Sequence, residues 1–474
     1  PTFGSPSAIA RRPSLRRREF RNFQSTPFRH LAPPGDHRRS TQLEQTIRSP
    51  ERLAGSLAVP GDKSVSHRSL ILNAIANGTA TVTGISDGAD VRSTAACLRA
   101  MGVSIDPLGE PGSFRVAGPG PNLDEPADML DAGNSGTSMR LLSGLLASQG
   151  FLSVLSGDGS LRSRPMGRIV QPLQQMGASI MGRGGNTLAP LAIRGGSLRS
   201  IEYEMPVASA QVKSCLMLAG LAASGPTVLH QPALSRDHTE RMMSAMGARI
   251  DNDGLALTLH PAELQAVDVA VPGDISSAAF WMVAGLIHPH ARVTITGVGL
   301  NPSRAGIIDA LQMMGAGDSL RLENQRVEGG EPVADVVASS ASLNGIDLGG
   351  DIIPIMIDEL PVLAVAACFA AGDTIIRDAA ELRVKESDRI ATTVSELTRL
   401  GGNLEPREDG MVIHGVGGLT GAAVESHGDH RLAMSMAVAG LAASGDTIIH
   451  GAEDASVSYP TFWEHLASLL GDGE

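Results

Sequence analysis

Apolar and polar positions along this chain fall into a pattern with two parts. From Ser66, "SHRSLILNAIANGTATVTGIS" reads as an amphipathic-to-apolar helix, a Gly stop and a short β-branched strand. The same order recurs from Ser135, Gln211, Ser276, Asp358 and Asp429, as in "SGTSMRLLSGLLASQGFLSVLSG" and "DHRLAMSMAVAGLAASGDTIIHGA". Each run leads into a second helix with a 3.6-residue apolar face, usually closing on Met-Gly or Leu-Gly. "VRSTAACLRAMG", "HTERMMSAMG" and "YPTFWEHLASLLG" are three of the six. The glycine stands where a helix C′ residue is wanted. Most copies then continue into a strand-like run such as "VSID", "ASIM" or "ARID". Solenoid repeats are shorter and more uniform, so the pattern predicts an α/β fold of six βα units rather than an open helical array.

Polar, Gly-rich stretches divide the units three and three. One domain is expected over 62–271, holding repeats one to three. A discontinuous domain is expected from 50–61 and 272–474, holding repeats four to six. "VDVAVPGDISS" (267–277) is the expected crossing, and the strand-like "ERLAGSLAVPGD" is expected to pair with the C-terminal half.

Composition changes this picture mainly at the N-terminus. The first fifty residues hold ten arginines against Glu19, Asp36 and Glu44, so they carry about +7 within a chain of net charge −12. "RRPSLRRREFRNF" is rich in Ser and Pro and lacks apolar periodicity, so residues 1–49 are expected to form a disordered Arg-rich extension. A transit peptide, an early start codon and a basic tail share that composition. The expected location is cytoplasmic, with a plastid as the alternative if the extension is a transit peptide.

The rest is ordinary for a globular protein: 474 residues, 42% hydrophobic, mean hydropathy +0.05. No apolar run reaches the roughly 18 residues of a membrane span, and the negative charge argues against non-specific nucleic-acid binding. Cys97, Cys215 and Cys368 lie in apolar helix-like runs without C-x-x-C spacing, which points to buried, reduced thiols. The histidines of "HPH" (288–290) and "SHGDH" (426–430) lack a second ligand cluster, so no metal is expected.

"AGSLAVPGDKS" nearly spells a phosphate-binding P-loop, but Asp62 separates Gly61 from Lys63 and the glycine spacing is one residue too long. ATP is thereby disfavoured. What survives is a Lys-Ser pair entering a helix, with Ser66 as the expected N-cap and Arg68 in the first turn. Cations are disfavoured at helix N-termini unless an anion binds there. Yet they recur at helix entrances: Lys63 and Arg68, Arg140 and Arg164, Lys213 and Arg236, Arg304, Lys385 and Arg389, and Arg431. The set points to a shared site for a polyanion, held by helix N-termini and cationic forks without metal.

"LAVPGDKSVSHR", "LDAGNSGTSMR", "SRPMGR", "SAQVKS", "RDHTE", "IDELPVLAVAA", "LRVKESDR" and "DHRLAMSMAVAGL" occur in order from about residue 50 to the C-terminus. Together they resemble the 5-enolpyruvylshikimate-3-phosphate synthase family of enolpyruvyl transferases, and "ASAQVKS" and "RDHTE" look more like its bacterial class II branch. The resemblance implies a two-domain, inside-out α/β barrel with helices buried inside sheets. It also implies transfer of a carboxyvinyl group from phosphoenolpyruvate to the 5-hydroxyl of shikimate 3-phosphate, with no cofactor and as a monomer.

For individual residues, the resemblance implies that Lys63 bridges both substrates and donates a proton. It assigns Ser64, Arg68, Ser209, Ala210, Gln211, Arg236, Asp358 and Lys385 to shikimate 3-phosphate. It assigns Asn134, Gly136, Arg164, Gln211, Arg389 and Arg431 to phosphoenolpyruvate. Asp358 would accept from the 5-hydroxyl and Glu386 would shuttle a proton. From local sequence alone, Asp358 and Glu359 also fit first-turn carboxylates at a helix N-terminus, and "KESDR" fits a self-paired helix turn.

Two positions depart from the family pattern or bear on its inhibitor. Val457 stands in "DASVSYP", where many members carry a lysine. Gly136 stands where glyphosate-tolerant class II members carry alanine, which implies sensitivity. The rival readings are an enolpyruvyl transferase acting on UDP-N-acetylglucosamine, with a reactive loop cysteine, and a non-catalytic phospholigand-binding repeat protein.

Overall fold

The computed structural model describes residues 43–328 and 330–470. Six helices, one per repeat, run through the interior. They are α1 (Lys63–Ala74), α2 (Gly136–Leu146), α3 (Ala210–Gly220), α4 (Ile275–Ile287), α5 (Leu360–Phe369) and α6 (His430–Gly440). A helix that is apolar nearly all round has no solvent face to offer and must be enclosed. Accordingly α4 is buried from Ile275 to Leu286, and α5 from Leu360 to Cys368.

The second helix of each repeat is amphipathic. In Arg389–Arg399, Ile390, Thr393, Val394 and Leu397 form the buried stripe at i, i+3, i+4 and i+7. The glycine stops at 102, 177, 247, 315 and 401 have φ between 86° and 111°, left-handed backbone that glycine reaches without a Cβ clash. The sixth, Gly471, lies outside the described residues.

Each repeat contributes one small sheet. A short edge strand runs parallel to the strand after the inner helix, and further strands add antiparallel. The third repeat shows the order 202–204, 227–230, 256–259, 250–253. The first and fourth repeats exchange edge strands. Leu53–Ala58, which leads into α1, pairs in parallel with Ala291–Gly299 of the fourth repeat. Val269–Ala270, which leads towards α4, pairs with Thr79–Thr83 of the first.

The two crossing segments carry the same tetrapeptide, Val-Pro-Gly-Asp, at 59–62 and 271–274. They meet antiparallel: Asp62 N–H donates to the Pro272 carbonyl at 2.7 Å and Asp274 N–H to the Pro60 carbonyl at 2.9 Å. Gly61 leaves no room for a side chain, because a Cβ would stand 1.8 Å from the Gly84 carbonyl oxygen. Two hydrophobic cores result. One takes residues from Val65 to Val271, and the other takes Ile47 to Val59 together with Ile275 to Leu469.

Three expectations need correction. Helix α1 begins at Lys63 rather than at Ser66, because the Asp62 carboxylate accepts the Val65 N–H at 2.9 Å. Ser66 is buried within the helix and accepts the Ser86 N–H instead, at 3.0 Å. Arg68 therefore sits in the second turn, not the first. The extension expected over 1–49 also ends early. Residues 1–42 lie outside the described residues, but Glu44–Ile47 forms a strand antiparallel to Thr447–His450, with Ile47 in the core. Among the described residues, the antiparallel strand of the sixth sheet is therefore supplied by Glu44–Ile47.

Candidate active site

The entrances of the six inner helices, and of several second helices, hold the site's charged groups. Asp62, Ser135, Ser209, Asp274 and Asp429 cap five of the inner six, each accepting a first-turn N–H. Glu359 stands at the sixth without a cap bond. Between the two halves lies a cavity of about 540 Å³, lined by ten Lys or Arg side chains against six Asp or Glu. Helix N-termini add further positive potential. A site with this excess of fixed cations attracts polyanions.

Every expected site residue except Asn134 lines this cavity. Lys63 is the first residue of α1, and its Nζ lies 3.1 Å from Asp90 Oδ2. Ser209 caps α3, and Ala210 is that helix's first residue. Gln211 spans two entrances: its Nε2 donates to Thr137 Oγ1 at 2.9 Å, and its Oε1 accepts from Arg140 at 2.5 Å. Asn134 lies outside the lining, and its side chain and carbonyl both accept from Arg164. Its place is that of a support for the arginine.

Asp358 is the hub on the C-terminal side. Arg236 lies 2.5 Å from its Oδ2, Arg389 3.3 Å from its Oδ1, Lys385 at 3.8 Å and Arg431 at 3.9 Å. Burial would raise this carboxyl, but Lys385, Arg236, Arg431 and Arg389 together hold it well below the usual carboxylate range. Glu386 is balanced in the same way. Burial pushes it up, and Arg389, His430, Arg164 and Lys63 pull it well below. Arg389 lies 2.6 Å from Glu386 and 2.8 Å from Asp429, the α6 cap. His430, beside the site, is held down to about 4 by burial and by Lys63.

Arg68 reaches the cavity wall with much of its hydrogen-bonding capacity already engaged. It donates Nε to Thr239 at 2.6 Å, Nη2 to Ser214 at 2.7 Å and Nη1 to the Ser64 carbonyl at 3.0 Å. Two further entrance cations are taken up by carboxylates of the fold. Lys213 is buried 2.5 Å from Glu240 and does not line the cavity. Two residues on from Gln211, it projects from the opposite side of α3. Arg304 does line the cavity, but it is buried and ion-paired to Asp62 and Asp274 at 3.1 Å each.

The cavity also contains residues outside the substrate-ligand set that the resemblance implied. Arg140 stands at i+4 from Gly136 on α2, so helical spacing was a usable signal there, whereas Arg168 lies in the first turn of Gly167–Met176 and Arg164 precedes that helix in extended backbone. His430 adjoins Arg431. Asp90 and Glu381 carried no such signal, because each meets its cation only through the fold: Lys63 for Asp90 and Arg168, at 2.9 Å, for Glu381. Val457 lies in the turn Ala452–Val457 and does not line the cavity.

Among the described residues, no helix is long and apolar enough to cross a membrane. Burial pushes all three thiols up, with Cys97 and Cys368 reaching about 12.

A family model described as EPSP synthase (3-phosphoshikimate 1-carboxyvinyltransferase) matches residues 47–466. A 3-phosphoshikimate 1-carboxyvinyltransferase of Herpetosiphon aurantiacus is 54% identical over 432 residues, covering 90% of this chain and 99% of the relative. One from Gloeobacter violaceus is 56% identical over 427 residues, covering 90% and 98%. Among solved structures, an EPSP synthase from Acinetobacter baumannii superposes with a TM-score of 0.81 at 46% identity, covering 91% of this chain and 98% of the other. The enolpyruvyl transferase NikO from Streptomyces tendae reaches 0.72 at 19% identity, over 90% and 96%, a likeness of fold alone. With its six helix-entrance repeats and cation-rich cleft, the chain belongs to the EPSP synthase (3-phosphoshikimate 1-carboxyvinyltransferase) family.

Proposed function

We propose that this chain transfers the carboxyvinyl group of phosphoenolpyruvate to the 5-hydroxyl of shikimate 3-phosphate, releasing inorganic phosphate. The observation that carries the reading is a cavity in which ten cations face six carboxylates. The two substrates together bring two phosphates and two carboxylates. Their mutual repulsion in a partly dry site is offset only by such a surplus of fixed positive charge.

The alcohol adds across the enol double bond and phosphate then leaves from a tetrahedral intermediate. Asp358 stays ionised and accepts from the 5-hydroxyl. Lys63, at the entrance of α1, lies between the substrates and supplies or relays the proton that reaches the methylene carbon. Ser64, Arg68, Ser209, Ala210, Gln211, Arg236 and Lys385 hold the shikimate part. Gly136, Arg164, Gln211, Arg389 and Arg431 hold phosphoenolpyruvate, and Asn134 acts on it through Arg164. Val457 has no charge to offer phosphoenolpyruvate, and Arg140 takes the role that a lysine there would have.

Glu386 is a poor proton donor while Arg389, Arg164 and Lys63 surround it without competition. Substrate phosphate and carboxylate draw on the same cations, which raises the Glu386 carboxyl towards a value useful for proton shuttling. The enzyme acts as a cytoplasmic monomer with two domains, 62–271 against 50–61 plus 272–474.

The UDP-N-acetylglucosamine reading is weaker, because it calls for a reactive cysteine and burial holds all three thiols in their protonated form. Phosphate release from the two substrates tests the proposal, with loss expected in Lys63→Met and Glu386→Ala. Well-folded wild-type protein that releases no phosphate overturns it.

A further inference from the structure

The fold joins its two halves at the paired Val-Pro-Gly-Asp segments, and one side chain closes that joint. Arg304 is 3% exposed and spreads its guanidinium over both aspartates. Nη1 lies 3.1 Å from Asp62 Oδ2, and Nη2 lies 3.1 Å from Asp274 Oδ1. These are the caps of α1 and α4, helices in different cores. The same fork donates Nη2 to Ser276 Oγ at 2.6 Å and reaches Ser64 Oγ at 3.4 Å. Ser276 Oγ in turn donates to Glu359, the residue after Asp358. A continuous path of charged and hydroxyl groups therefore runs from the Lys63–Ser64 entrance to the Asp358 entrance.

We infer that Arg304 is a positioning residue for the reaction. Through Asp62 and Ser276 it fixes the α1 entrance, with Lys63 and Ser64, against the α5 entrance, with Asp358. The inference rests on the carboxyvinyl-transfer reading. Its chemistry follows from the guanidinium's shape. A planar fork holds two carboxylates and a hydroxyl in fixed relative positions, whereas an ammonium on a flexible stem donates from a single rotatable point and fixes no plane. Charge alone would hold the joint together without setting its angle.

Arg304→Lys tests the fork while keeping the charge. The expected result is a folded protein whose kcat falls at least tenfold, with the KM for phosphoenolpyruvate changed less than threefold. Because a substitution here can unfold the joint, the triple variant Asp62→Asn/Asp274→Asn/Arg304→Gln serves as the neutral control. It should recover thermal stability relative to Arg304→Gln and still show the low kcat. A kcat within twofold of wild type in Arg304→Lys overturns the inference, as does a triple variant that recovers kcat together with stability.

Spin labels at Asn252→Cys and Glu408→Cys, exposed positions on opposite halves, give a readout independent of turnover. Their distance distribution should broaden in Arg304→Lys, and an unchanged distribution overturns the inference. If the wild type released no phosphate, the functional reading would fall while the label distances still decided the role of Arg304.

Discussion

At the scale of single residues, charge balance decides what the cleft groups can do. Asp358 and Glu386 are both enclosed, and both stay ionised because each has more than one cation within reach. Sequence reading found these carboxylates through family resemblance, since local pattern alone equally fitted a helix-dipole carboxylate and a self-paired turn. It assigned nothing to Asp62, which the structure shows as both the α1 cap and an Arg304 partner.

Gly136 offers a sharp test at this scale. A methyl there would stand 2.7 Å from Arg140 Nη1 and 3.5 Å from Arg164 Nη1. Arg140 has a flexible end and can yield, so Gly136→Ala should fold normally. The expected outcome is a KM for phosphoenolpyruvate raised severalfold and a larger rise in the glyphosate inhibition constant. Steady-state kinetics measures both, and a wild-type inhibition constant far above the KM for phosphoenolpyruvate counts against the predicted sensitivity.

At the scale of elements, α1 owes its rigidity to a buried polar chain. His67 Nδ1 lies 2.8 Å from Thr94 Oγ1, which lies 2.6 Å from Ser138 Oγ, beside the α2 cap Ser135. Burial, helped by Lys63 and Arg68, holds His67 well below its ordinary 6.5, and burial holds His430 at about 4. Both rings are neutral in the fold and protonate more readily in the unfolded chain. Stability is therefore full above pH 6.5 and is lost as pH falls towards about 4. The slope is about 1.4 kcal/mol per pH unit for each ring. Urea unfolding between pH 7 and pH 5 should show it, and His67→Asn should flatten it. An unchanged slope in that variant would place the proton uptake elsewhere.

The strand at 44–47 makes a second prediction for an element. Protein beginning at residue 49 loses the ladder to Thr447–His450 and the buried Ile47. It should be about 2–5 kcal/mol less stable than protein beginning at residue 43, as for other large apolar deletions from a core. Equal midpoints in denaturant would show the strand to be dispensable.

At the scale of the whole molecule, and away from the Arg304 joint, Arg236–Asp358, Arg164–Glu386 and Arg168–Glu381 are ion pairs that cross the cleft. The first two join expected substrate ligands, so substrates compete for them. Arg168–Glu381 belongs to neither substrate set and is about one-third exposed on each side. A pair so wetted contributes up to about 1 kcal/mol, roughly a fivefold bias towards the closed cleft. Substrate-free Glu381→Gln should accordingly scatter with a larger radius of gyration than wild type. The wild type should compact when shikimate 3-phosphate and glyphosate are added. Identical radii in all three samples would exclude a closing cleft.

Much of this protein follows from sequence alone, because helix and strand periodicities are local. The six repeats, their glycine stops and the two classes of helix need only side chains within a few turns of one another. The cation bias at helix entrances was legible for the same reason, as a residue type at a recurrent offset. Which cations face the cleft was not. Lys213 fits the entrance pattern as well as Arg431 does, yet tertiary packing turns it away from the cleft against Glu240, while Arg304 stays at the cleft wall with Asp62 and Asp274 against it. The exchange of edge strands between repeats one and four, and the sixth sheet's reliance on residues 44–47, also arose only on folding. Both pair residues hundreds of positions apart, where backbone hydrogen bonds and a shared core decide the partner and local pattern is silent.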